Sequence, residues 1–360
     1  MSLVIGLIIF WVCVVVIGFL VIPSSIRQSD RQEEGSQGKR ELPAIKDGEK
    51  KEGVCSLDGT PLHVDYLGDS DPTIFFVHGI LASGQVFRYQ KPFFAKKYRV
   101  VSLDIRGHGR SSLPKSGDFC IDRMAEDVKA VIDSFNPQQF VVAGHSMGGF
   151  TTFDFYEQFG KEYEGRLKGL AILDSTGIDT TCLSLRWKLD ALFLRCLLDD
   201  PITNLLKKSF SKSAFMYVHA RWLAFGKQAP ASEVEFVNKI GSQVSIKAMK
   251  GASKASVNHR MEYCLPSVDV PVLMLVGDED TLVMSKDRLN SRTCALLPDA
   301  RLKVIEGAGH HALLERPDEV NEALDEFFTE CFSGGRESAD ENALAPGANR
   351  SQDQLVPEAP

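Results

Sequence analysis

The segment Gly144-His145-Ser146-Met147-Gly148 limits the fold of this chain more than any other part of the sequence. An apolar run, residues 140–143, precedes it, and residues 150–159 carry aromatic side chains at helical spacing after it. This order predicts a strand, a sharp turn and a helix. A serine in such a turn has a strained backbone, so the residues two positions away on each side must be small, and both are glycine. The hydroxyl of Ser146 is then expected above the strand end, at the N-terminus of the helix.

Short apolar runs recur along the chain and predict six buried strands, at residues 73–77, 100–103, 140–143, 170–173, 272–276 and 302–305. Helical or mixed segments separate most of these runs. Strands that are apolar on both faces and alternate with helices indicate an α/β fold, with a mostly parallel, doubly wound sheet covered on both faces. Ahead of them, residues 54–57 and 60–67 flank Asp58-Gly59, a favoured turn pair, and predict a β-hairpin.

The composition of the 360-residue chain is that of a globular protein. Hydrophobic residues make up 44% of it and charged residues 25%, which is ample for a large core. The net charge of −7 argues against a nucleic-acid partner, because binding phosphates requires a basic surface. Eight cysteines are scattered without a C-x-x-C pair or a cluster with histidine. We therefore interpret them as free thiols and predict neither a metal site nor a cofactor.

Residues 3–22 form twenty consecutive positions without a charged or strongly polar side chain, enough to cross a bilayer as a helix. A cleaved signal peptide is the alternative, but it would begin with a basic segment and have a shorter apolar stretch. We therefore predict a transmembrane anchor over residues 1–23 of a single-pass membrane protein. Basic residues follow this span at positions 27, 31, 39 and 40, and the positive-inside rule then places the folded domain on the cytoplasmic side.

Changes in composition mark the other boundaries. Residues 24–52 are rich in Gln, Glu, Gly, Ser, Lys and Arg and predict a flexible tether. Residues 333–360 turn to Gly, Glu, Ala, Asn and Pro and predict a disordered tail. The folded domain is therefore expected over residues 53–332.

A long insertion at about residues 176–268 lies between the sixth and seventh predicted strands of the sheet, and it must have structure of its own, since such long loops are rare. Residues 183–198 and 215–225 predict helices within it. Its aromatic side chains could line an apolar pocket or pack in a core; they include Trp187, Phe193, Trp222 and Phe225. Glu233 and Glu235 could bind a free amine of a substrate, or form a solvated helix face, which is the interpretation that we favour.

Reacting groups in parallel sheets gather at the carboxyl ends of the strands, so the residues just after each apolar run are the candidates. His78-Gly79-Ile80 follows the run at 73–77, and its turn would direct the amide of Ile80 at Ser146. The amide of Met147 is a second donor. Two such donors form an oxyanion hole, which stabilises negative charge on a substrate oxygen. His78 itself is predicted to hold the loop by hydrogen bonds.

The segment 104–111, Asp-Ile-Arg-Gly-His-Gly-Arg-Ser, has two interpretations. Arg106 and His108 could form an anion site. We favour a tightly hydrogen-bonded loop that braces the His-Gly loop and the serine turn. Asp104 would then cap this loop or pair with Arg106.

A reactive serine needs a histidine that accepts its proton. His310 follows the run at 302–305, and the small Gly309 before it allows the ring to reach back toward Ser146. His311 leads into the next helix and is expected to turn toward it. We therefore predict His310 as the base.

The base in turn needs a carboxylate that orients it, and three residues are candidates. Asp278 and Asp280 follow the run at 272–276, and Asp174 follows the run at 170–173. Asp280 lies deeper in its loop than Asp278, so we predict Asp280 as the acid. About thirty residues separate it from His310, enough for one helix and one strand, which would place the two loops side by side.

Several motifs occur together in a fixed order: His78-Gly79, Asp104-x-Arg106-Gly107-His108-Gly109-x-Ser111, Gly144-His145-Ser146-Met147-Gly148-Gly149, Gly277-x-x-Asp280, and Gly309-His310 followed by Glu315-Arg316-Pro317. In this set the chain resembles the α/β-hydrolase superfamily, in its esterase, monoacylglycerol-lipase-like and carbon–carbon hydrolase members, over about residues 53–332. The resemblance implies that the insertion is a cap over the active site, and it supports Asp280 as the acid. It excludes dehalogenases and epoxide hydrolases, which carry aspartate where this chain has Ser146.

The sequence thus predicts a membrane-anchored serine hydrolase that cleaves carboxylic esters of apolar or lipid-derived acids. Ser146, Asp280 and His310 would form the catalytic triad, and the amides of Ile80 and Met147 the oxyanion hole, without a metal or cofactor. The expected partners are a small-molecule ester and a membrane, contacted through residues 3–22. A carbon–carbon bond hydrolase or an aminopeptidase with the same triad is one alternative, and a binding protein without turnover is another.

Overall fold

A mixed β-sheet organises the computed structural model, which describes residues 49–178, 214–283 and 289–334. The strands in these ranges are β1 (Glu49–Lys50), β2 (His63–Leu67), β3 (Thr73–Val77), β4 (Arg99–Asp104), β5 (Phe140–His145), β6 (Leu167–Leu173), β7 (Val272–Gly277) and β8 (Ala300–Ile305). Their order across the sheet is β1-β2-β4-β3-β5-β6-β7-β8. Strand β2 is antiparallel to β1 and β4, and all other neighbours are parallel.

Helices connect the strands of the sheet, and three further helices lie in the described part of the insertion between β6 and β7. The α-helices in the described ranges are α1 (Gln90–Phe94), α2 (Ile121–Phe135), α3 (Met147–Phe159), α4 (Ala214–Ala224), α5 (Ala231–Gly241), α6 (Ile246–Asn258), α7 (Leu289–Leu296), α8 (Ala312–Glu315) and α9 (Pro317–Phe332). Short 3₁₀ helices cover Gly84–Phe87, Gly160–Tyr163 and Leu265–Ser267.

The two faces of the sheet contribute to separate hydrophobic clusters. Along β3, Phe75 and Val77 point into the cluster that also contains residues of α2 and α3, whereas Ile74 and Phe76 point into the cluster with α1 and α9. All four side chains are fully buried, because successive strand residues face opposite sides and both sides are covered. The predicted fold class, a mostly parallel and doubly wound sheet, is confirmed.

The six apolar runs all lie within observed strands. Burial of the run at 302–305 is wrong, because β8 is an edge strand of the sheet and its Lys303 and Val304 are exposed. Several strands are also longer than their runs. Strand β6 begins at Leu167, and β5 continues through His145. The added residues are held by ladder hydrogen bonds, which an apolar pattern does not report. Strand β1 likewise lies before residue 53, where the folded domain was expected to begin. Both of its residues are exposed, so pairing with β2 places them there and burial does not.

The predicted hairpin around Asp58-Gly59 forms only in part. Its first arm makes a single bridge, from Cys55 to Pro61, before the chain enters β2. Gly59 has a φ of 78°, as the turn requires, and the amide of Ser56 donates to Thr60 O at 2.9 Å.

The insertion between β6 and β7 contains α4, α5 and α6, and the predicted helix at 215–225 is confirmed as α4. The other predicted helix, at 183–198, lies outside the described residues. So do the predicted anchor at 3–22, almost all of the tether, and the tail from residue 335 onward. Within the described ranges, the helices are too short or too polar to cross a bilayer.

Candidate active site

Ser146 joins β5 to α3 in a strained conformation, with φ 54° and ψ −120°. A non-glycine residue with such angles costs about 1–3 kcal/mol and is kept only where its surroundings enforce it. The two flanking glycines show how closely the surrounding backbone packs on this turn. A Cβ on Gly144 would lie 2.2 Å from the carbonyl oxygen of Gly148, and one on Gly148 would lie 2.1 Å from that of Val77. The turn can therefore form only with glycine at both positions, as the sequence predicted.

The three residues predicted to act together meet at the carboxyl edge of the sheet. Ser146 Oγ lies 2.8 Å from His310 Nε2, and His310 Nδ1 lies 2.8 Å from Asp280 Oδ2. The other oxygen of Asp280 accepts the amides of Leu282 and Val283, at 2.8 and 3.1 Å. A proton on Nδ1 donates to Asp280 and leaves Nε2 as an acceptor for the serine proton. This arrangement can convert a hydroxyl into a nucleophile.

Electrostatics around His310 favour its charged form. Burial by itself lowers the pKa of the imidazole, but the charge and hydrogen bond of Asp280 act against this, and the net pKa is raised. The ring and the Asp280 carboxylate are both buried, so water screens their attraction little. An imidazolium formed by taking the serine proton would thus be stabilised where it forms.

Asp174, the alternative acid, does not contact His310 Nδ1. It is fully buried, and its two oxygens accept the amides of Gly277 at 2.9 Å and Ala312 at 3.0 Å. Burial and the charge of Asp280 raise its pKa. Asp174 therefore ties together the loop that carries Asp280 and the loop that carries His310.

His145, which sequence reasoning did not single out, lies against the base. Its Nε2 is 2.8 Å from the carbonyl oxygen of His310, so Nε2 carries a proton and donates it. Burial and the neighbouring His310 lower the pKa of His145 to about 3, which keeps the ring uncharged. Its position immediately before Ser146 could have drawn attention to His145. Its partner, His310, is 165 residues away along the chain, so the sequence did not reveal the contact.

The His311 ring lies between the ring of His145 and that of Phe225 in the cap. Its centroid lies 5.1 Å from that of His145 and 4.9 Å from that of Phe225, at the end of α4. Burial, together with His145 and His310, lowers the pKa of His311 well below its usual range. His311 thus packs as an uncharged ring between the serine turn and the cap.

The His-Gly loop lies directly beside the serine. A Cβ on Gly79 would be 2.8 Å from Cβ of Ser146, so the backbone approaches the nucleophile closely. His78 has the structural contacts expected of it: Nε2 accepts the amide of Ile105 at 3.0 Å, and Nδ1 donates to the carbonyl oxygen of Gly79 at 2.7 Å. Ile80 is the next residue after Gly79 in this loop. Met147 is the first residue of α3, where the backbone amides have no partner within the helix.

The loop at 104–111 braces the site and is not an anion site. Arg106 is fully buried, and its guanidinium donates to both oxygens of Asp127, at 2.7 and 2.9 Å, and to Asp58 at 2.9 Å. Of the two roles expected for Asp104, the pair with Arg106 is wrong and the cap of the loop is confirmed. Asp104 accepts the amide of Arg110, in its own loop, at 2.8 Å and that of Gly84 at 2.7 Å. Local sequence could not reveal this, because the partner of Arg106 comes from α2.

Two acidic side chains attach the cap to the loops of the site. Glu315 accepts the amide of Gly226 at 2.8 Å and that of Gly309 at 2.9 Å, and Glu279 accepts the amide of Lys227 at 2.6 Å. A Cβ on Gly309 would lie 2.4 Å from the nitrogen of Gly226. Position 309 therefore has no room for a side chain, because the cap turn packs on it. The sequence had suggested a different reason for this glycine, the reach of the His310 ring toward Ser146.

The remaining acidic candidates have other partners. Asp278 accepts the amide of Gly307 at 2.6 Å and so joins the loop after β7 to the loop after β8. Glu233 is buried, pairs with Arg88 and accepts a hydrogen bond from Tyr89 Oη at 2.7 Å. The expectation of a solvated face at Glu233 is therefore wrong, because α5 turns this residue toward the loop after β3.

Comparisons with known proteins agree with this fold. A family model described as the alpha/beta hydrolase fold matches residues 72–317. The chain is 28% identical over 264 residues to Protein ABHD8 of Mus musculus, covering 72% of this chain and 55% of that protein. It is 26% identical over 288 residues to the Bifunctional esterase/perhydrolase DCH of Acinetobacter calcoaceticus, covering 75% and 97%. The chain therefore spans little more than half the length of the mouse relative and almost all of the bacterial one.

Solved structures share the fold at lower identity. An esterase from Thermogutta terrifontis superimposes with a TM-score of 0.65 at 20% sequence identity, covering 79% of this chain and 99% of the esterase. At this identity the likeness shows a common fold and leaves the substrate open.

Proposed function

Because this chain belongs to the α/β-hydrolase fold family, we propose that it is a serine hydrolase that cleaves carboxylic esters through an acyl-enzyme on Ser146. One contact carries the proposal: Ser146 Oγ is 2.8 Å from Nε2 of His310. A serine hydroxyl is a weak nucleophile at neutral pH unless a base takes its proton. Asp280, on the opposite side of the ring, supplies the orientation and the charge that make His310 such a base.

The proposed reaction proceeds in two halves. His310 Nε2 takes the proton of Ser146 Oγ as this oxygen bonds to the ester carbonyl carbon. The tetrahedral intermediate then breaks its bond to the alcohol oxygen, which receives the proton from His310 and leaves. Water, deprotonated by His310, attacks the acyl-enzyme carbonyl. The acid is released, and the proton returns to Ser146.

The amides of Ile80 and Met147 are proposed to hold the carbonyl oxygen while it is negative. The close approach of Gly79 to Ser146 supports this, because it brings the His-Gly loop within reach of the reacting carbonyl. The amide of Met147 adds the positive end of the α3 dipole. Loss of one donor from such a hole costs about 3–4 kcal/mol of transition-state stabilisation.

The proposed substrates are esters of apolar or lipid-derived acids. Phe225 supports this class, since it directly follows α4 in the cap and its ring contacts His311, next to the base. We further propose that residues 3–22 anchor the chain in a membrane, with the folded domain, residues 53–332 and the cap at about 176–268, on the cytoplasmic side. An enzyme held at a bilayer meets amphiphilic esters at high local concentration.

A fluorophosphonate probe tests the nucleophile directly. The full chain, purified in detergent, is expected to react covalently, and Ser146→Ala is expected to abolish labelling. Ser175→Ala is the matched control and should keep the labelling, because Ser175 is a serine beside the nucleophile whose Oγ donates to the backbone oxygen of Ser146 at 2.7 Å. Labelling that survives in Ser146→Ala would refute the proposal.

A substrate panel tests the reaction class. Short-chain and long-chain esters, a peptide amide and a β-diketone are compared by kcat/KM. The highest values are expected for the long-chain esters. Higher values for the amide or the β-diketone would replace esterase activity by an aminopeptidase or a carbon–carbon hydrolase.

A further inference from the structure

Three metal-ligating side chains meet on the α2 and α3 side of the sheet, away from the serine. Asp122 lies in the first turn of α2, Asp154 lies on α3, and His259 follows α6. One ligand atom from each residue, an imidazole nitrogen or a carboxylate oxygen, lies within 4.8 Å of the other two. The site is assembled only by folding, because the three residues are far apart along the chain.

The imidazole of His259 lacks a protein partner for one nitrogen. Nε2 is buried and has no hydrogen-bond partner among the residues that the structure describes. The ring packs on Phe150, with 5.8 Å between centroids. Among protein side chains, imidazole is the commonest metal ligand, and it binds through a ring nitrogen. A buried polar atom without a partner is costly, and a bound cation would satisfy it.

Asp154 is buried, and a neighbouring side chain orients its carboxylate, as is usual for carboxylates that bind metals. Gln158 Nε2 donates to Oδ2 at 2.7 Å, a contact that orients the carboxylate. Asp122 and Glu157 place negative charge near this carboxylate, and a divalent cation would offset that charge.

We propose that Asp122, Asp154 and His259 bind a zinc ion, with water as the remaining ligand. A nitrogen ligand favours zinc over calcium or magnesium, which prefer all-oxygen sites. Ligand atoms around tetrahedral zinc lie about 3.4 Å apart, so atoms that now lie within 4.8 Å of one another need to approach by at most about 1.4 Å. The ion would join the end of α6, a cap helix, to the two helices that cover the sheet. Asp154 lies about 12 Å along α3 from Ser146, so the ion would act on structure and not on the ester.

Metal titration of the full chain tests this site. The protein is treated with EDTA, dialysed in the presence of a reducing agent and titrated with Zn²⁺ by calorimetry, with Co²⁺ absorption as a second readout. One Zn²⁺ per chain is expected to bind, and a d–d spectrum is expected with Co²⁺. His259→Gln and Asp154→Asn should weaken binding at least about tenfold and remove the spectrum.

A control variant separates this site from another histidine of the chain. His63→Gln removes an imidazole that lies 3.1 Å from the carboxylate of Asp65, and it should leave zinc binding unchanged. If the buried variants do not fold, Asp122→Asn decides, because this residue is exposed. Equal zinc binding by Asp122→Asn and the wild type would overturn the proposal, as would the absence of zinc binding or a preference for Ca²⁺.

Discussion

Asp280 uses its two oxygens for different tasks. Oδ2 faces Nδ1 of His310, whereas Oδ1 accepts the amides of Leu282 and Val283. The two backbone donors fix the orientation of the carboxylate. The fixed Oδ2 in turn determines that Nδ1 of His310 carries the proton. At the scale of single residues, the tautomer of the base therefore depends on the fixed orientation of Asp280.

Asp280→Asn is expected to lower kcat for an ester by about 10⁴-fold, because an amide facing Nδ1 favours the wrong tautomer. Burial lowers the pKa of His310 and the charge of Asp280 raises it, so removing this charge lowers the pKa. The base must be unprotonated, so the acid limb of the residual activity should move to lower pH. The pH profile of kcat/KM measures both effects.

Asp278→Asn is the matched control for this variant. Its side chain accepts the amide of Gly307 and does not reach His310, so activity should stay within about tenfold of the wild type. Wild-type kcat in Asp280→Asn would show that another residue orients the base.

His145→Leu removes the donor to the backbone oxygen of His310. The ring of the base then loses one constraint, and we expect kcat to fall about tenfold, corresponding to about 1.4 kcal/mol, with little change in KM. His145→Gln, which can still donate, should recover most of the activity. Equal rates in the two variants would show that this hydrogen bond does not position the base.

At the scale of elements, the turn after α4 joins the cap to both loops of the site. Glu315 holds Gly226 and Gly309, and Glu279 holds Lys227. The two carboxylates differ in environment. Burial raises the pKa of Glu315 to about 7, whereas backbone and side-chain contacts with Lys227 lower the pKa of the more exposed Glu279.

These pKa shifts predict opposite effects of pH on stability. The folded protein binds the Glu315 proton more tightly than the unfolded chain does, so stability falls as pH rises from about 4.5 to about 7. Glu315→Gln has no titrating group at this position and so loses this pH dependence. The amount by which the Tm of the wild type exceeds that of Glu315→Gln should shrink as pH rises from about 4.5 to about 7. Glu279→Gln should show the reverse, since its stabilising contribution is lost as pH falls below about 4.5. Thermal unfolding at pH 4, 5.5 and 7.5 separates the two, and parallel profiles would contradict the assignment.

At the scale of the whole molecule, a buried ion pair connects the cap to the sheet domain. Glu233 on α5 pairs with Arg88, which follows the 3₁₀ helix Gly84–Phe87, and the guanidinium lies 4.0 Å from the centroid of the Phe236 ring. Both partners are almost fully buried. A single substitution would leave the other charge buried without its partner.

Glu233→Leu is expected to lower the free energy of unfolding by about 3–5 kcal/mol, because Arg88 then remains charged in an apolar site. The double variant Arg88→Leu/Glu233→Leu should recover most of this loss. Urea unfolding and limited proteolysis of the cap measure the effect. A double variant as unstable as the single one would mean that packing, and not the ion pair, ties the cap down.

Local patterns were sufficient to predict the sheet and the candidate triad. The runs at 73–77 and 272–276 are apolar on both faces, a property that each short segment has by itself. The residues after parallel strands meet at one edge whatever the loops between them do. Ser146, Asp280 and His310 could therefore be chosen before any distance was known.

The sequence by itself determined which segments are strands of the sheet and which side chains stand at their carboxyl ends, because strand periodicity and glycine placement act over a few residues. Only the tertiary structure decided the partners of Arg106, Glu233 and His145, since each of them pairs with a residue from a distant element. Their contacts depend on how helices and loops pack against one another, and neither spacing nor composition encodes that packing in a short stretch of chain.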